Sequence, residues 1–248
     1  WRELADELRQ ALPTDEGGER YRYADNTDLR PSSAHTATVF PFSFDVHSDR
    51  ARRTLRWVYD AFEAGQTTGD EDTELVFSDT WIWELGRLAT ACFYQGLGDK
   101  GYNVLRRAPD VTGPFRAPNE HYREGEEPFL PWLTSGAGAF VYALHAMFVQ
   151  VVDESGPILL PALPSVIRDA RFERLLASQG VGVSGQVKNG ALVNLTAQTD
   201  RPMAWSFRIP QRLASTAQFA SDVTVSEPDA LGLVTVECAL TGGITQLV

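Results

Sequence analysis

Apolar residues recur along this chain first at helical and then at strand spacing, and the change falls at 153–157. Trp1, Leu4, Ala5, Leu8 and Leu12 mark one face of a helix that stops before Pro13. Ser48 and Asp49 cap a second helix, whose stripe is Leu55, Val58, Tyr59 and Phe62. Ser78 opens a third, carrying Trp81, Leu85, Leu88, Cys92 and Phe93. A shorter helix with Tyr102 and Leu105 follows Gly98 as the return arm of a helical hairpin. The centre of the pattern is 129–164, FLPWLTSGAGAFVYALHAMFVQVVDESGPILLPALP. Its small-residue turn at 134–138 leads into a helix that is apolar on nearly every face, through Phe140, Val141, Leu144, Met147, Phe148 and Val151. Such a helix is expected to be buried all round. Gly156 and Pro157 stop it, and a short apolar run with two prolines follows.

Beyond Pro164 the period is that of strands, at 172–179, 182–187, 191–198, 203–209, 233–239 and 244–248. Asn189-Gly190 reads as a hairpin turn between two of them. This pattern predicts a small antiparallel β-sandwich, and hence two domains, a helical one over 1–155 and a β one over 156–248. Two connections are unusual. The polar and aromatic stretch 21–44 and the long Pro-, Gly- and Glu-rich loop 108–131 have the character of segments that line sites. The acidic run Asp70-Glu71-Asp72 reads as a solvated connection.

Composition narrows the function classes. With 248 residues, 43% hydrophobic and 10% aromatic, the chain has enough apolar side chains for a sizeable core. A formal charge of -11 without a basic patch argues against nucleic acid and anionic membrane surfaces as partners. No apolar run has membrane-spanning length and no signal-peptide order is visible, so localisation is left open. Two cysteines, Cys92 and Cys238, suit neither a disulfide framework nor a four-thiolate metal site. His35, His47, His121 and His145 show no ligand spacing, so neither metal nor cofactor is implied.

Three segments in order carry a family resemblance: Ile158-Leu159-Leu160-Pro161-Ala162-Leu163-Pro164, then Arg174-Leu175-Leu176-Ala177-Ser178-Gln179-Gly180-Val181-Gly182-Val183, then Lys188-Asn189-Gly190-Ala191-Leu192. They resemble the C-terminal end of the α-L-fucosidase family of six-hairpin glycosidases. Ser33-Ala34-His35 and Phe77-Ser78-Asp79-Thr80-Trp81 are similar to that family's upstream segments. The resemblance implies the last part of an (α/α)6 barrel followed by a β-sandwich, from a protein that acts on glycosidic bonds. About five or six helices precede the sheet where a closed barrel needs twelve, so the chain is expected to need a missing N-terminal part or a second chain.

A glycosidase needs an acid to protonate the leaving oxygen and a carboxylate to activate water or attack the sugar. The family's Asp-Gly-Asn-Phe-Gly stretch falls on Ser135-Gly136-Ala137-Gly138-Ala139, and its aspartate is absent. The candidate catalytic carboxylates are then Glu120, on the long loop, and Asp79, at a helix start. Their ordinary readings are a solvated loop acid and an acid complementing a helix dipole. Candidate substrate-binding residues are His35 and Asp25 in the polar-aromatic loop, with Trp81 and Trp132 as apolar platforms for a pyranose ring. Core packing is the ordinary reading for both tryptophans. Thr134 and Ser135 open a turn whose backbone N–H groups suit an anion. Trp132-Leu133-Thr134-Ser135-Gly136-Ala137 also resembles a segment of inverting disaccharide phosphorylases, which implies phosphate there, while the ordinary reading is close approach of two helices. A third class is a carbohydrate-binding or scaffolding protein without turnover.

Overall fold

The computed structural model describes residues 2–22, 33–43, 45–65, 82–112, 117–118 and 133–248. The chain divides into two compact units, one of Trp1–Gln95 with Lys100–Ala143 and the other of Gly96–Asp99 with Leu144–Val248. Among the described residues there are six α-helices: α1 (Arg2–Gln10), α2 (Asp49–Glu63), α3 (Ile82–Tyr94), α4 (Gly98–Leu105), α5 (Thr134–Phe148) and the short α6 (Gln211–Ala214).

In the first unit, local chemistry sets the helix starts and glycine sets the distances between helices. Ser48 caps α2, its Oγ accepting the Ala51 N–H at 3.1 Å. The buried side of α2 is Leu55, Val58, Tyr59 and Phe62. A Cβ on Gly86 of α3 would lie 2.7 Å from the Ala139 backbone carbon, so these two helices meet through glycine. On α1, Leu4 and Leu8 are exposed. Nor is α5 buried all round: Val141 is 63% and Leu144 39% exposed. Its buried side is Gly136, Ala143, Ala146 and Met147. Three of these four are Gly or Ala, which admit a close approach where Val and Leu do not.

The second unit is built on one mixed, partly closed sheet of β1 (Val149–Gln150), β2 (Ile158–Leu159), β3 (Ala170–Leu176), β4 (Gly182–Lys188), β5 (Ala191–Pro210), β6 (Thr224–Val225) and β7 (Leu233–Gln246). The order is β1-β2-β5-β4-β3, with β7 also on β5 and β6 on β7. Most pairs are antiparallel, but β2 runs parallel to β5, with Ile158 opposite Arg208. Strand β5 is the spine, pairing β4 through its first half and β7 over 196–210. Val234, Val236, Cys238 and Leu240 alternate into the core, as do Trp205, Phe207 and Ile209. A bulge at Val193 lets Leu192 and Leu195, three positions apart, both point inward.

The expected architecture, about half an (α/α)6 barrel followed by an antiparallel sandwich, is therefore corrected. The molecule has few helices and a partly closed mixed sheet in place of the toroid. A toroid is made of successive long helical hairpins, whereas α1 has nine residues, α4 eight and α6 four. A sandwich is made of two facing sheets, whereas every strand among the described residues joins one hydrogen-bonded network.

Candidate functional site

The second unit holds a cavity of about 570 Å³, within the range of about 300–1,000 Å³ usual for small-molecule sites. A second depression, of about 290 Å³ along β3 and β4, falls below that range. Three segments and one helix wall the larger cavity. The segment after β2 turns at Pro164, whose carbonyl accepts the Ile167 N–H at 3.0 Å, and brings Ser165 and Arg168 to the wall. The β4–β5 hairpin contributes Asn189 and Gly190, at φ 52° and 81°. Both central residues of a two-residue hairpin turn need positive φ, which is why Asn-Gly is favoured there. The start of α4 contributes Asp99, and α6 contributes Arg212.

Hydrogen bonds fix these pieces to one another. The Asn189 N–H donates to Asp169 Oδ1 at 2.7 Å and the Gly190 N–H donates to the Arg168 carbonyl at 2.8 Å. Arg168 Nη2 returns a bond to the Asn189 carbonyl at 3.0 Å. Asp99 Oδ1 accepts the Ser165 N–H at 2.6 Å. Beside it, a Cβ on Gly98 would lie 2.5 Å from the Ala162 carbonyl oxygen, so only glycine admits this approach. Leu213, fully buried, anchors α6, and the Gln211 N–H donates to the Gly232 carbonyl at 3.0 Å. The result is a wall with a carboxylate, an amide and two guanidinium groups over a braced backbone.

The residues singled out from the sequence lie elsewhere. Glu120, Asp79, Asp25, Trp81 and Trp132 fall outside the described residues. His35 lies in a 3-10 turn, Ser33–Thr36, at 2% exposure, its ring edge-on to Trp57 with centroids 5.1 Å apart. Thr134 and Ser135 are exposed in the first turn of α5. The next residue, Gly136, serves close approach: a Cβ there would sit 2.3 Å from Ile82 Cγ2. An aromatic group in the first unit was not foreseen. Phe40 stacks on Tyr142 at 5.1 Å, and the Tyr94 and Tyr142 hydroxyls are 2.6 Å apart. Burial, then the hydrogen bond to Tyr142, pushes the Tyr94 phenol well above its ordinary range.

Asp99, Arg168 and Arg212 carried no role in the sequence reading. The available signal was the Asn189-Gly190 turn, whose position next to the 158–164 run in the fold no spacing rule reveals. Among the described residues, no group of three or more His, Cys, Asp or Glu side chains stands where it could hold a metal ion. No described helix is long and apolar enough to cross a membrane.

No protein-family model matches this chain, and no curated protein matches it. The toroid and the glycoside hydrolase assignment expected with it are accordingly withdrawn: the architecture is different, and nothing supports hydrolase function.

Proposed function

We propose that the chain is a carbohydrate-binding protein and that the cavity of the second unit is where it holds a saccharide. The observation that carries this reading is the convergence on one cavity of the two segments with the most specific carbohydrate-related resemblance, 158–164 and 188–192. Leu163 and Pro164 come from the first, Asn189 and Gly190 from the second. The chemistry suits the ligand class. Sugar hydroxyls both donate and accept, and a wall with Asp99, Asn189 and two arginines offers both kinds of partner. Because the backbone at 164–168 and 189–190 is cross-braced, little ordering remains to be done on binding. Binding of this kind asks for no pair of catalytic carboxylates.

Titration of isotope-labelled protein with a panel of mono- and disaccharides tests the proposal. Amide signals of Asp99, Ser165, Asn189 and Gly190 are expected to shift together, and Asp99→Ala is expected to weaken the binding at least tenfold. A panel in which no sugar moves these signals, or moves only signals far from them, would end the reading.

A further inference from the structure

The same cavity has an uneven charge. Two of its side chains, Arg168 and Arg212, are cations, and among the described residues lining it Asp99 is the one anion. One oxygen of that anion is engaged, since Asp99 Oδ1 accepts the Ser165 N–H. Arg168 spends one N–H on the Asn189 carbonyl, which orients its fork and leaves further donors. Arg212 has no ion pair or hydrogen bond among the described residues, although the chain carries 33 acidic residues against 22 basic ones. A guanidinium left without an acid in so acidic a protein, on a helix pinned by Leu213, is a donor set available to something else.

We infer that the ligand of this cavity is an acidic saccharide, one whose ring bears a carboxylate or a phosphate. The inference rests on the carbohydrate reading above and narrows it. Arg212 takes the oxyanion, with the planar fork that matches two oxygens at once, and Arg168 adds a second positive charge to the same wall. Asp99 and the Asn189-Gly190 turn are left to the uncharged hydroxyls. The pairing is local, since a Debye length of about 8 Å at physiological salt screens the wall from the negative charge of the rest of the chain.

Calorimetry separates the possibilities. Glucuronate, galacturonate and glucose 6-phosphate are compared with glucose and galactose, and with acetate and inorganic phosphate, on the wild type and on Arg212→Gln and Arg212→Lys. The expected result is binding of at least one acidic sugar, at least tenfold tighter than its neutral counterpart and weakened by added salt. Arg212→Gln removes that preference at unchanged melting temperature, because Arg212 is exposed, and Arg212→Lys restores part of it. Carboxylate and phosphate sugars differ in which one wins, and either supports the inference. Equal affinity for neutral and acidic sugars overturns it and leaves the carbohydrate reading standing. Acetate or phosphate alone binding as tightly as the acidic sugar overturns the carbohydrate reading, and with it this inference. The same holds if nothing binds.

Discussion

Arg208 lies within β5 with 8% of its side chain exposed, and its Nη2 donates to Asp153 Oδ1 at 2.7 Å. Its Nε has no hydrogen-bond partner among the described residues, so much rests on Asp153. Burial alone pushes the Asp153 carboxyl up, but hydrogen bonds from Arg208 and Ser155 outweigh it and hold the group below its ordinary value of 3.8. A depressed folded pKa contributes stability that is complete above the unfolded value and lost as pH falls through the folded one. The pair is thus expected to support the fold at neutral pH and to lose that contribution progressively as pH falls below about 4. Asp153→Asn should cost about 1–2 kcal/mol at pH 7, between the values for an exposed and a fully buried pair, because Asp153 is itself 39% exposed. Adding Arg208→Met should recover part of that loss. Urea midpoints measured from neutral to acid pH check this, and equal pH slopes in wild type and Asp153→Asn would remove the pair from the account. Little of this was legible in the sequence. Asp153 reads there as the start of the 153–157 junction and Arg208 as a residue within a strand, because their meeting depends on a parallel strand pair that no local pattern announces.

At the scale of elements, local chemistry was legible and continuity was not. The Ser48 cap and the Asn189-Gly190 turn are where the residue types place them, since each is decided within a few residues. Strands expected at 191–198 and 203–209 are instead one strand of 20 residues. The residues between them include a bulge between Thr199 and Pro202, and β7 continues opposite on both sides of it. Leu233–Gln246 likewise absorbs two expected strands across Gly242-Gly243. Helix α5 differs from its pattern for another reason: apolar count overstates burial, and the inner face is mostly Gly and Ala, with Met147. Two glycines test that account. Gly86→Ala forces a Cβ against the Ala139 backbone and should destabilise by about 1–3 kcal/mol. Gly138→Ala meets open space within α5 and should stabilise by about 0.5–1 kcal/mol. Thermal melts of both variants decide, and shifts of the same sign would refute the distinction.

On the scale of the whole molecule, the sequence pattern gives a change of period at 153–157 but not how the strands close on one another, and the two compact units interleave, with Gly96–Asp99 joining Leu144–Val248. The candidate site shared that fate. Asp99, Ser165, Arg168, Asn189 and Arg212 are spread over more than a hundred residues and are assembled by the sheet. Chain connectivity also predicts an order of folding events. Lys188 and Ala191 are joined by a two-residue turn, whereas Asp153 and Arg208 meet across a separation of 55 residues. The hairpin closes at little entropic cost, and the β2–β5 pair, with the longer loop to close, is expected to form after it. Gly190→Ala, which puts a side chain at φ 81°, is therefore expected to slow refolding, and Asp153→Asn to speed unfolding. Chevron plots distinguish the two arms, and a reversed assignment would contradict this order. The parallel pair is then a late latch, among the last contacts expected to form as the sheet assembles and among the first expected to let go.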